Sequence, residues 1–218
     1  MSRSLYIGRS GLGKTHLLCN NLFKLFEENK RRIYPKLIIV SPTAPKQPEK
    51  WNKLKKWTIE YYPRANPEVA NQIFLKAEEI YRKFHSKKNK KKPQVLFTVF
   101  DDLGESTFLK LSRKDNPIRE MVTNARHQKC HLVFATQEFT QAMKPLRKNV
   151  DFIYIFEIDD IEERKVIWKA FAGEIAIEEF NKLSTRAWKE EWGYLMIDRS
   201  NPKDGKKYYI KEEPYIFN

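Results

Sequence analysis

Between Gly8 and Thr15 the chain reads Gly-Arg-Ser-Gly-Leu-Gly-Lys-Thr, a complete match to the pattern G-x-x-x-x-G-K-[ST]. Three of the seven glycines in the chain fall within these eight positions. A turn this rich in glycine can wrap tightly enough for successive backbone N–H groups to converge on one anion. The apolar run Ser4-Leu5-Tyr6-Ile7 precedes it as a strand. Leu17, Leu18, Leu22, Leu25 and Phe26 follow at helical spacing and predict a helix from Lys14 to about Glu28. A strand, a glycine turn and a helix in that order form a phosphate-binding loop, or P-loop. The turn and the helix start, Gly8, Arg9, Ser10, Gly11, Leu12, Gly13, Lys14, Thr15 and His16, are the residues expected to hold a nucleotide. In such a loop Lys14 reaches the β- and γ-phosphates, and the Thr15 hydroxyl ligates Mg²⁺.

The rest of the chain alternates short apolar runs with longer amphipathic ones, as an α/β fold with a mostly parallel sheet does. Strands are expected at Leu37–Val40, Val95–Phe100, His131–Thr136 and Phe152–Phe156. Helices are expected at Glu68–Lys83, Ile118–Gln128, Asp159–Ala172 and Ile175–Leu183. Residues 44–67, rich in Pro, Lys, Trp and Tyr, read as an irregular insertion with a short strand at Trp57–Tyr61. Tyr194–Ile197 and Tyr208–Ile210 read as a terminal hairpin joined by the turn chemistry of Asn201-Pro202-Lys203-Asp204-Gly205. The expected organisation is one domain over the 218 residues: an ATPase core over residues 1–158, and a helical and hairpin extension over 159–218. No apolar run approaches the 18 or so residues of a membrane span, and Met1-Ser2-Arg3-Ser4 lacks a signal-peptide core. Cys19 and Cys130 sit in apolar runs and read as buried thiols of a reducing compartment.

A second feature narrows the chemistry. The apolar run Val95–Phe100 ends in Asp101-Asp102. A carboxylate at the C-terminal end of a parallel strand faces the crevice where ligands bind. There Asp101 would hold Mg²⁺ beside Thr15, and Asp102 would polarise the attacking water. The plainer alternative is a pair of acids capping the next helix. The following strand ends at Gln137, whose amide can donate and accept at once and so orient a water or sense a phosphate; otherwise it is a loop glutamine. Arg147, in Pro145-Leu146-Arg147-Lys148-Asn149, is placed to stabilise transition-state charge on a neighbouring subunit's phosphate. A solvated or DNA-facing cation is the alternative. Arg126, in Asn124-Ala125-Arg126-His127, is a second candidate for that role.

Taken in order, the P-loop, the Asp-Asp strand end, the Arg-His pair, the strand ending in Gln and the Arg-x-Asn resemble the FtsK–HerA superfamily. Within it the pattern is similar to the genome-packaging ATPases of double-jelly-roll DNA viruses. The likeness covers about residues 4–158. It implies an ASCE/RecA-like P-loop NTPase fold, with a central mostly parallel sheet flanked by helices and a small C-terminal β/α extension. It also implies a homo-oligomeric ring, a pentamer or hexamer, that moves double-stranded DNA into a preformed capsid at a capsid or vertex protein. ATP and Mg²⁺ would bind between subunits. The resemblance assigns catalysis to Lys14, Asp101, Asp102, Gln137 and Arg147, and the metal to Thr15 and Asp101. It places the protein in the host cytoplasm or viral factory, or with the virion, rather than outside the cell. Many relatives carry Glu as the second acid; Asp102 is shorter and requires its water nearer.

Charge agrees with a polyanionic partner. Forty-two Lys and Arg against 28 Asp and Glu leave +14, and counterion release makes a basic surface an efficient sequence-independent grip on DNA. Lys87–Lys92 and the stretch from Lys50 to Arg64, with Trp51, Trp57, Tyr61 and Tyr62, are candidate DNA contacts. They are equally a solvated charge run and core aromatics. A small P-loop kinase acting on a nucleoside is the main alternative, but no Arg-rich lid is evident and a kinase has no need of +14. A nucleotide-gated DNA-binding module with little turnover is a third, and the Asp101-Asp102 pair argues against it.

Overall fold

The computed structural model describes residues 2–85, 92–102, 117–124, 130–200 and 206–215. Among the described residues nine strands form one sheet. In chain order they are β1 (Arg3–Ile7), β2 (Tyr34–Val40), β3 (Thr58–Tyr62), β4 (Gln94–Asp101), β5 (Cys130–Thr136), β6 (Phe152–Ile155), β7 (Leu195–Asp198), β8 (Tyr208–Ile210) and β9 (Glu213–Pro214). In space the order is β3-β2-β4-β5-β1-β6-β7-β8-β9. The first six of that row pair in parallel and the last three are added antiparallel.

Successive residues of a strand point to opposite faces, and here each face has its own core. Leu5, Ile7, Ile38, Val40, Phe100 and Phe134 face one layer of helices. That layer comprises α3 (Pro67–His85), α4 (Pro117–Asn124), α5 (Lys144–Asn149), α6 (Ile161–Phe171) and α7 (Ile177–Trp188). Tyr6, Leu37, Ile39, Phe97, Val99 and Val133 face the other way, onto α1 (Lys14–Asn29) and the short α2 (Pro48–Trp51). Burial on both faces is why β1, β2, β4 and β5 are nearly continuous apolar runs.

The α/β expectation holds, with its mostly parallel sheet flanked by helices. Three details differ. First, β2 starts three residues earlier than Leu37 and takes in Pro35. That residue pairs with Val95 on the β4 side, while β3 joins β2 only from Leu37, so the proline lies where the strand has a single neighbour. Second, residues 44–67 are ordered. A 3₁₀ turn, α2 and a second 3₁₀ turn lead into β3, which closes the edge of the sheet. Trp51 and Trp57 are buried, and Trp57 packs edge-on against Phe26 at 5.0 Å between ring centres. The Tyr61 hydroxyl donates to the Ser41 carbonyl and that of Tyr62 to Glu60. Two tryptophans proposed for DNA are therefore core. Third, the expected terminal hairpin forms, with β7 antiparallel to β8, but β7 also pairs with β6, so the hairpin extends the main sheet. The expected Asn201–Gly205 turn lies outside the described residues. Among the described residues no helix is long and apolar enough to cross a membrane.

Candidate functional site

The loop between β1 and α1 has the backbone its glycines require. Gly8 has φ +148°, and a Cβ there would lie 2.7 Å from Phe156 Cβ. Gly13, at φ +86°, is the residue before α1 and supplies no side-chain cap; the first turn of α1 contains no acidic residue. Its N–H groups and positive dipole end are left for an external anion. Lys14 Nζ donates to the carbonyls of Gly8 and Arg9, curling over the loop. Burial pulls the Lys14 ammonium below its ordinary range, while Asp101 and Asp102 push it back up.

Asp101, the last residue of β4, is 1% exposed. Thr15 Oγ1 sits 3.2 Å from each of its carboxylate oxygens. This pairs the first turn of α1 with the tip of a strand two places along the sheet, and assembles a hydroxyl and a carboxylate, the hard oxygen donors that Mg²⁺ takes. Burial, and then the charge of Asp102, push the Asp101 carboxyl up to about 6; the Thr15 hydroxyl, Lys14 and Lys50 act against them. Asp102 turns sharply away from the strand in the left-handed region, at φ 54°. Its Oδ1 accepts from Gln137 Nε2 at 3.0 Å. The sheet order explains that meeting. β5 runs between β1 and β4, so its tip emerges between the P-loop and the acidic pair. Beside Gln137, the Thr136 hydroxyl is buried without a partner and lines the same cleft.

Lys14, Thr15, Asp101, Asp102 and Gln137 are thus brought together. Ser10, Gly11, Gly13 and His16 also line the cleft, whereas Leu12 packs toward the core. The Arg9 side chain leaves it for Asp159, at 2.6 Å. Arg147 is not in the cleft. It lies on α5, whose Leu146 packs in the core on the sheet face opposite α1. Its guanidinium stands 5.0 Å from the Phe139 ring centre, and its carbonyl accepts from Arg199. Arg126 and Lys87–Lys91 lie outside the described residues; Lys92 Nζ donates to the Lys30 carbonyl.

Several cleft residues had no sequence signal. Lys50, grouped by charge with the candidate DNA contacts, lines the cleft with Thr43 and Gln47 and acts electrostatically on Asp101. Phe156, Trp192 and Tyr194 line it too, the first two against the glycines of the loop. The cleft holds about 560 Å³, within the range of small-ligand sites.

No protein-family model matches the chain. In sequence it is similar to the uncharacterized protein 015R of Frog virus 3 (isolate Goorha), 24% identical over 174 residues, which cover 78% of this chain and 48% of that protein. The chain therefore spans about half the length of this curated relative. In structure it is similar to the genome packaging NTPase B204 of Sulfolobus turreted icosahedral virus 2 in complex with AMP. The TM-score is 0.64 at 17% identity, covering 100% of this chain and 97% of that one. The DNA-packaging ATPase B204 of Sulfolobus turreted icosahedral virus matches with TM-score 0.63 at 19% identity, over 90% and 92% of the two chains. EssC (ATPases 2 and 3) of Geobacillus thermodenitrificans matches with TM-score 0.55 at 10% identity, over 76% of this chain and 34% of that one. The fold is that of a P-loop NTPase.

Proposed function

We propose that the chain is a Mg²⁺-dependent ATPase that drives double-stranded DNA into a viral capsid as a ring of identical subunits. The observation that carries hydrolysis is the convergence of Thr15 on Asp101, and of Gln137 on Asp102, beside an uncapped helix start. Lys14 and the α1 N–H groups would hold the phosphates, and Thr15 and Asp101 the metal. Mg²⁺ supplies charge neutralisation at the phosphate oxygens. Asp102 accepts the proton of a water that attacks the terminal phosphorus, releasing ADP and phosphate, and Gln137 orients that water. Arg147 would act on a neighbouring subunit's site, since its own lies across the sheet. DNA is supported by the +14 charge, and the capsid by likeness to the packaging NTPases.

The test is ATP hydrolysis with and without double-stranded DNA. Turnover that rises with DNA of any sequence is expected. Hydrolysis indifferent to DNA, together with phosphoryl transfer to a nucleoside, overturns the motor reading in favour of a kinase.

A further inference from the structure

The cleft lining is partly charged and partly aromatic, and the aromatic part has no role in the proposed chemistry. Its outermost member is Trp192. Trp51 and Trp57 are buried, and Trp168 and Trp188 are half-buried with their indole N–H groups bonded to the carbonyls of Ile175 and Ile155. Trp192 is 56% exposed. It also adopts φ 59°, a conformation that costs a bulky residue on the order of 1 kcal/mol or more and that persists only when its surroundings enforce it.

The enforcement is visible. After α7 the chain turns through Glu190–Gly193, with Gly193 N–H donating to the Glu190 carbonyl at 2.9 Å. A Cβ on Gly193 would lie 2.1 Å from the Ala187 carbonyl oxygen, so this turn requires glycine. Lys211 N–H donates to the Tyr194 carbonyl, and the Lys211 ammonium pairs with Glu190. Trp188 Nε1 ties the end of α7 to β6. Helix and sheet together hold Trp192 over the P-loop, where a Cβ at Gly13 would meet its ring at 2.7 Å. Phe156 and Tyr194, 5.7 Å apart between ring centres, form the apolar wall beside it.

We propose that Trp192 is the platform on which the base of the bound nucleotide stacks, with Phe156 and Tyr194 as the apolar wall behind it. The proposal rests on the nucleotide-binding reading and adds which part of the ligand the C-terminal region takes. An exposed indole beside a phosphate loop offers the flat face that a base needs, and such stacking contributes roughly a 5- to 100-fold gain in affinity.

The test is the dissociation constant, by titration calorimetry with Mg²⁺, of ATP and of inorganic tripolyphosphate, which has no base. Wild type, Trp192→Ala and Trp192→Phe are compared. The positive φ penalises Ala and Phe alike, so the pair separates the ring from the turn. Trp192→Ala is expected to weaken ATP roughly 5- to 100-fold and to leave tripolyphosphate within about twofold; Trp192→Phe recovers most of the loss. Unchanged ATP affinity in Trp192→Ala overturns the platform, as does an equal loss for both ligands. Wild-type protein that binds neither ligand overturns the nucleotide reading, and the platform with it.

Discussion

The charged half of the cleft lining, Lys14, Thr15, Asp101 and Asp102, stands at a helix start and a strand tip; the aromatic half, Phe156, Trp192 and Tyr194, comes from the chain after β6. The charged half is made of residue types that cannot be exchanged. Positive φ demands glycine, a phosphate demands an ammonium, and a hard cation demands oxygen. The aromatic half is made of side chains found in any core. They matter only because the end of β6 sets Phe156 against Gly8, and the turn at Gly193 and the antiparallel β7 bring Trp192 and Tyr194 beside it. Two halves of one site can therefore differ completely in how visible they are in the sequence.

The largest expected effect lies in the charged half. Lys14→Ala is expected to lower ATP turnover by about 100-fold or more and to weaken ATP and tripolyphosphate together. Wild-type turnover in that variant would remove the charged half from the mechanism.

Asp101→Asn tests whether that half is kept at the expense of stability. The ordinary carboxyl value is 3.8, and burial raises Asp101 to about 6. A raised value means that the native state holds the proton more tightly than the unfolded one. Above about 6 the buried carboxylate costs stability in full, and the cost fades as the pH falls from about 6 to about 4. Asp101→Asn should then abolish Mg²⁺-dependent hydrolysis, yet stabilise the metal-free protein by about 1–3 kcal/mol at pH 7. Denaturant melts in EDTA at several pH values check this. A variant less stable than wild type at pH 7 contradicts it.

Gly13→Ala joins the two halves. It forces a left-handed Ala against the Trp192 ring, at a cost of about 1–2 kcal/mol. Affinity for ATP and for tripolyphosphate should fall by about tenfold each. Loss confined to ATP would show that the ring moved while the loop did not.

Arg9→Ala should do least. The Arg9 side chain pairs with Asp159 at the surface, so stability should change by less than about 1 kcal/mol and ATP affinity should stay near wild type. A large loss of affinity would place the Arg9 guanidinium, and not only its backbone, at the phosphates.

Much of the frame was legible beforehand. The cores of β1, β4, β5 and β6 are apolar runs because both of their faces are covered. Within residues 44–67 the short strand was legible to within a residue, but the burial of Trp51 and Trp57 was not, because tryptophan beside lysine reads as surface as easily as core. Lys50 was grouped with DNA-facing charge for the same reason. The Asp101 and Asp102 positions followed from the strand that ends in them, but the Gln137–Asp102 hydrogen bond required the order of β4 and β5 in space.

By itself, the sequence determined the phosphate loop and the acid at the tip of β4, since their backbone and ligand demands are met within a few neighbouring residues. Only the tertiary structure decided that β5 separates β1 from β4, that α5 carries Arg147 to the face away from α1, and that Trp192 meets Gly13. Those placements come from many individually weak apolar contacts spread over two cores. No single residue encodes them, and a tryptophan becomes one wall of a cleft only when the strand it leads into, β7, has been laid beside β6.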